Sequence, residues 1–276
     1  MNTFQLKPEF ITSDIRVHRP WKQQFQVSTD NMEARHQLWF SKSDLTGKRV
    51  LDLGCCVAAT GAWVLDHGAS HYTGVDIQQD FLKKSQENLS KYYDTARWTI
   101  VNSSIEEYLE NCQDQFDIVI AAGVLTSCFD YFSAVKRMSQ ISKEIIIENV
   151  HPYRGFKEMF PNKTHEELHE IWQTLELVSY ESNGQALDTG YASVMYDSSR
   201  PSMAAFQKIF RYLGWDTDFE INKSAQQQLP HMYDFDSQSY GIRFILKITP
   251  TIKSAFDFID SVKHKDTFSY QIKKWQ

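Results

Sequence analysis

Short apolar runs alternate with longer amphipathic stretches from about residue 49 onward. The run Val50-Leu51-Asp52-Leu53 has the length of a buried strand, breaks at Gly54, and resumes as small residues that open a helix over 57–67. The same rhythm predicts a strand at His71–Asp76, a helix at Gln79–Tyr92, a strand at 97–101 and a short helix at Ile105–Asn111. A strand at Phe116–Ala122, a helix at 131–140 and a fifth strand at 144–148 follow. Repeated βα units of this length imply a parallel sheet with helices on both faces, which binds ligands outside the carboxyl ends of its strands.

The flanks are less regular. Residues 30–40 read as a helix with Met32, Leu38, Trp39 and Phe40 available for packing, and residues 15–22 combine cations with Trp21 in a cluster suited either to gripping a phosphate or to a solvated leader. After residue 150 the alternation stops: a polar helix near 164–178 and a Gly- and Ser-containing stretch fill 151–200, too long for a simple connection and so a candidate lid. Pro201 is expected at the start of a helix that runs to Leu213 and stops at Gly214. Strands at 215–221 and 242–248 then complete the sheet as a reversed final pair. The expected fold is therefore α/β, a doubly wound, mostly parallel seven-stranded sheet with an inserted lid. Its parts are an N-terminal helical or substrate segment (1–48), a core (49–250) with the lid at 151–200, and a helical tail (251–276).

Composition narrows the class. A chain of 276 residues supports one enlarged α/β domain, and a formal charge of −6 argues against a protein that coats nucleic acid generally, DNA included, while leaving room for a local basic patch. Cys55, Cys56, Cys112 and Cys128 form neither a CxxC pair nor a disulfide framework, and no apolar run is long enough to span a bilayer. The expectation is a cytoplasmic protein without a membrane partner.

Chemistry enters at the strand ends. Asp52 and Gly54 close the first strand, and Asp76 closes the second at the spacing where a nucleoside-binding fold places a carboxylate for ribose hydroxyls. These residues resemble motif I and the following acidic motif of the class I S-adenosylmethionine-dependent methyltransferases, whose first turn reads acidic-x-Gly-x-Gly-x-Gly. Cys56 and Ala58 stand where that pattern has its second and third glycines. Phe116-Asp117-Ile118-Val119 followed by Gly123-Val124-Leu125 is similar to the family's fourth-strand motif, with Thr126-Ser127 in place of its Tyr-His. The segment from Arg200 to Trp215 is similar to one in tRNA wobble-uridine alkyltransferases and several small-molecule methyltransferases.

The resemblance implies S-adenosylmethionine as cofactor and a small molecule or tRNA as acceptor. It places Asp52, Gly54 and Cys55 at the methionine end, Asp76 on the ribose and Ile77 on an adenine face. Ser103, Ser104 and Ile105 fall at the adenine edge near Asn102, and Ala121 lies beside the sulfonium. Ser104 ahead of Ile105-Glu106-Glu107 reads equally as a helix cap. Where the acceptor must lose a proton, Glu148, His151 and Tyr153 are candidate catalytic groups, with Arg154 nearby and Asp130 as a further possibility. No metal is required.

Competing readings are a cofactor-binding protein without catalysis, a nicotinamide dehydrogenase, and a zinc protease. The dehydrogenase lacks its G-x-G-x-x-G. The protease rests on His165-Glu166-Glu167-Leu168-His169, which matches H-E-x-x-H, but the flanking Lys163, Glu167 and Glu170 mark a solvated helix.

Overall fold

A computed structural model describes residues 6–12, 29–125, 128, 130–150, 161–164, 167, 178–182, 197–201, 203–220 and 243–250. Its first strands and helices are α1 (Glu9–Thr12), α2 (Thr29–Trp39), β1 (Arg49–Leu53), α3 (Ala59–Asp66), β2 (His71–Asp76) and α4 (Gln79–Tyr92). After a 3-10 turn come β3 (Trp98–Asn102), α5 (Ile105–Asn111), β4 (Phe116–Ala122), α6 (Tyr131–Ile141) and β5 (Ser142–Val150). The chain continues through β6 (Val178–Ser182), β7 (Asp197–Pro201), α7 (Met203–Tyr212), β8 (Trp215–Glu220) and β9 (Arg243–Pro250).

Seven strands form one sheet in the order β3-β2-β1-β4-β5-β9-β8, with β1 to β5 parallel. The strand order reverses direction between β1 and β4, so the crevice at their carboxyl ends is the expected ligand position. Period-2 alternation divides the core. Leu51 and Leu53 of β1 face a cluster that includes Leu109 of α5, Met138 of α6 and Phe206 of α7. Val50 faces the opposite cluster with Phe10, Trp39, Trp63 and Leu89, drawn from α1 to α4. Both faces are covered, which accounts for the near-continuous apolar runs in the central strands.

Three expectations are corrected by this arrangement. Only β9 is reversed: it runs antiparallel to β5 and to β8, so β8 shares the direction of the first five strands. Within 151–200, β6 and β7 pair antiparallel as a separate two-stranded sheet, where a helix was expected to extend to Val178. Pro201 ends β7 opposite Val178, and the helix begins at Met203. A proline without an N–H is tolerated at a strand end as readily as at a helix start, so the residue alone does not choose between them. The start of the polar helix is visible: Thr164 and Glu167 bond reciprocally as a capping box, and Lys163 pairs with Glu167. His165, Glu166 and His169 lie outside the described residues, as do the segment 15–22 and the tail.

Candidate functional site

The turn after β1 has an unusual backbone. Gly54, Cys56 and Ala58 all have positive φ, at 76°, 50° and 60°. Those are the three positions where the resembled motif has glycine, so the left-handed geometry is kept although two of the glycines are not. A left-handed non-glycine residue carries a strain of roughly 1–2 kcal/mol, and here surrounding contacts hold it in place. The N–H groups of Gly54 and Cys55 both donate to the Val75 carbonyl, at 2.8 and 3.0 Å. Cys56 and Val57 pack on Phe81 of α4, and Ser85 Oγ donates to the Cys56 carbonyl at 2.7 Å. Ala58 is fully buried and is the N-cap of α3 without a side-chain cap. At Gly54 a Cβ would lie 2.7 Å from Val124 Cγ2, so this glycine answers to both φ and close approach.

Replacing Ala58 by glycine tests the strain. Relief of the left-handed cost opposes the loss of one buried methyl, about 0.8 kcal/mol, and the added freedom of the unfolded chain, so the net change is expected within about 1 kcal/mol. Ala62→Gly, equally buried inside α3, has no strain to relieve and is expected to cost about 2 kcal/mol. Urea denaturation of the two variants compares them; equal losses would show that Ala58 bears no strain.

Asp76 stands beside this turn at the end of β2. Its Oδ2 accepts from Cys56 N–H and its Oδ1 from Gln78 N–H, each at 2.9 Å. Both bonds orient the carboxylate, and each oxygen keeps a further lone pair. Ile77 next to it is a large apolar residue left 62% exposed. The Asn102 amide donates to the carbonyls of Asp76 and Ile77, tying the ends of β2 and β3 together. Ser103 Oγ lies 3.4 Å from Glu107, while Ser104 caps α5 by accepting from Glu107 N–H at 3.1 Å. The cap alternative thus describes the Ser104 hydroxyl. Ile105 is buried beneath it, and Ala121 is wholly buried in β4, in register with Leu53 and Ile147.

Asp52 is buried beneath the turn. Tyr72 donates to its Oδ2 at 2.9 Å. Burial drives its pKa up to about 7 and the neighbouring Asp76 adds to this, against the pull of the Tyr72 hydroxyl, Arg35 and Thr60. Burial likewise pushes the Cys55 thiol up, which makes it an inert filler, and pushes His36 down to about 3, so His36 is neutral. His36 Nε2 lies 3.2 Å from Thr60 Oγ1, and its ring sits edge-on to Trp39.

Glu148 lies at the carboxyl end of β5, opposite Ala122, and is fully buried. Arg35 Nε donates to its Oε2 at 2.8 Å, Arg35 Nη2 to its Oε1 at 2.5 Å, and Trp39 Nε1 to its Oε2 at 2.7 Å. The Arg35 guanidinium also lies over the Trp39 ring at 4.9 Å. The carboxylate thereby holds α2 to the sheet, and the Glu148 backbone carbonyl accepts from the Gly123 N–H at 2.7 Å. Asp130 caps α6 through Ser133 N–H, and its interactions with the Ser133 hydroxyl and then that N–H lower its pKa. His151, Tyr153 and Arg154 follow β5 outside the described residues. Among the described residues no group of three His, Cys, Asp or Glu side chains is placed to hold a metal ion, and no helix is long and apolar enough to cross a membrane.

Sequence reasoning had not singled out Arg35, His36 or Tyr72, and had taken Trp39 only for packing. Arg35 and Trp39 are spaced i, i+4 on α2, a pattern that puts them on one face without naming the acceptor they share.

A family model described as "Methyltransferase domain" matches residues 51–144. An uncharacterized protein of Haemophilus influenzae is 28% identical over 80 residues, 29% of this chain, and the match spans about a third (32%) of that protein's own length. Among solved structures, magnesium protoporphyrin IX methyltransferase of Synechocystis with bound S-adenosylhomocysteine superposes with a TM-score of 0.55 at 13% identity, covering 87% of this chain and 94% of that one. An S-adenosylmethionine-dependent methyltransferase of Mesorhizobium loti gives 0.53 at 13% identity, over 79% and 97% of the two chains. At such identities the likeness shows the fold.

Proposed function

We propose, on the premise that the chain belongs to the class I S-adenosylmethionine-dependent methyltransferase family through residues 51–144 and its sheet order, that it moves a methyl group from S-adenosylmethionine to a small-molecule or RNA nucleoside acceptor. The observation that carries this reading is the Asp76 carboxylate, oriented by two backbone N–H groups at the tip of β2 and beside a turn with three left-handed residues. A carboxylate so placed has the acceptor capacity for two vicinal ribose hydroxyls.

The remaining residues fit the same ligand. Ile77 offers an exposed apolar surface to one adenine face, Ser103 offers a hydroxyl to its edge, and Ser104 with Ile105 shapes the rim from below. Gly54 lets Val124 close against the turn, to which Cys55 contributes backbone, and Ala121 is the small residue proposed beside the sulfonium. Asp52 supplies negative charge behind the turn, where a low-dielectric surrounding strengthens its pull on a cation. The cofactor brings a methyl carbon already activated by positive sulfur, so alignment of the acceptor supplies much of the rate. His151 and Tyr153, directly beyond β5, are the proposed groups for an acceptor proton. Glu148 serves by holding α2, the end of the proposed substrate segment, against the sheet. Residues 151–200 are proposed to cover the acceptor, and the cytoplasm is the proposed compartment.

Calorimetric titration with S-adenosylmethionine and S-adenosylhomocysteine tests the binding half of the proposal, and transfer of a labelled methyl group to tRNA or to small-molecule pools tests the other. Asp76→Ala is expected to weaken the cofactor by about 1.5–3 kcal/mol, roughly ten- to a hundredfold in Kd. Unchanged affinity would remove the ribose assignment. Binding without transfer to any acceptor would favour a cofactor-binding protein that does not catalyse.

A further inference from the structure

Tyr72 enters the space under the cofactor turn through a slot bounded by two glycines. Its side chain is wholly buried, on the second residue of β2. A Cβ on Gly61 of α3 would lie 2.7 Å from Tyr72 Cζ and 2.8 Å from Cδ1. A Cβ on Gly74, two residues further along the same strand and on the same face, would lie 2.9 Å from the Tyr72 hydroxyl and 2.9 Å from Cys55 Sγ. Real Cβ atoms do not approach so closely, so both positions are open only to glycine while the ring keeps this path. The path ends at Asp52 Oδ2.

We propose that Tyr72 is a positioning residue of the cofactor site: its hydroxyl orients the Asp52 carboxylate beneath the Gly54 turn and stabilises its charged form, which favours a cationic ligand. The inference rests on the methyltransferase reading. An O–H donated to a carboxylate oxygen is bonded to the ionised state, and a phenol that stays protonated performs this over the whole working range. Burial pushes the Tyr72 hydroxyl's own ionisation well above its usual value. The other groups facing Asp52 are Asp76 from β2 and Cys55 from the turn, which do not help it ionise, and Thr60 from α3 and Arg35 from α2, which do. His36, bonded to Thr60, is neutral. With burial opposing ionisation, the balance lies near neutral pH, where the loss of one hydrogen bond changes the charge present.

Tyr72→Phe removes the hydroxyl and keeps the ring. In the ligand-free protein, carbon-13 resonances of labelled aspartate, with Asp52 assigned through Asp52→Asn, should show the Asp52 titration moving upward by roughly half to one pH unit. Calorimetry with S-adenosylmethionine should show affinity reduced several-fold at pH 7 and restored above about pH 8.5. S-adenosylhomocysteine, which lacks the sulfonium charge, should lose less. In an Asp52→Asn background Tyr72→Phe should no longer change this pH profile. An unmoved Asp52 titration, or an affinity loss equal at every pH, would overturn the proposal, since a purely packing role would weaken binding without regard to pH. If the unaltered protein takes up neither compound while the Asp52 titration still shifts, the methyltransferase reading fails and the Tyr72–Asp52 coupling alone survives.

Discussion

Replacing Glu148 by alanine is expected to lower folding stability by about 3–5 kcal/mol. The carboxylate is fully buried and Arg35 is only 12% exposed, so solvent screens the pair little. Removing it leaves a buried guanidinium without its bidentate partner and the Trp39 indole N–H without an acceptor. The asymmetry between breaking and replacing a buried pair gives a second, sharper expectation. Arg35→Met combined with Glu148→Leu should recover much of the loss, because no charge is then stranded in the core. Chemical denaturation of the three proteins measures both effects. A Glu148→Ala protein of unchanged stability whose methyl transfer had collapsed would return Glu148 to the role of a base acting on the acceptor, and would remove its hold on α2.

The second large effect is expected at Gly61. Alanine is the better helix former by about 1 kcal/mol, and in an exposed helix the change would stabilise. Here the added Cβ would collide with the Tyr72 ring, which is held between α3 and β2 in a fully buried position. Neither the ring nor the helix backbone can withdraw without opening the core, and overpacking of this kind costs typically 1–3 kcal/mol. A net loss of up to about 2 kcal/mol is expected, with the Tyr72 hydroxyl displaced from Asp52. Pairing Gly61→Ala with Tyr72→Val, which clears the slot, should make the alanine neutral or favourable. If the pair shows no such coupling in a double-mutant cycle, the slot does not constrain the helix.

Much of the architecture was legible because it depends on local signals. The period of apolar residues located β2, α4, α5 and β4 at their observed limits. The alternation of strand and helix required parallel neighbours and covered faces. Acidic residues at the ends of the first two strands marked the carboxyl edge as the candidate site. The turn after β1 was partly legible: Gly54 marked the break after the strand, and Cys56 and Ala58 were marked only by standing at glycine positions of the resembled motif, since their residue types carry no signal of a positive φ; the bonds and packing that fix the turn against β2 and α4 hold them there.

The last strands show the limit of periodicity. β8 and β9 were recognisable as strands, yet their directions are decided by which neighbour each one meets, and an apolar run reads the same in either direction. Pro201 shows the same limit at a single residue.

The residues of this chain by themselves determined the alternating α/β order, the parallel core and the two carboxylates at the carboxyl ends of its first strands, because helix and strand periods and turn chemistry are properties of neighbours in sequence. Only the tertiary structure decided that Glu148 is bound by an arginine and a tryptophan more than a hundred positions away. It alone showed Tyr72 passing between two glycines to reach Asp52. Those roles depend on burial and on partners brought together by folding, and the energy of a buried charge is set by what surrounds it rather than by what precedes it in the chain.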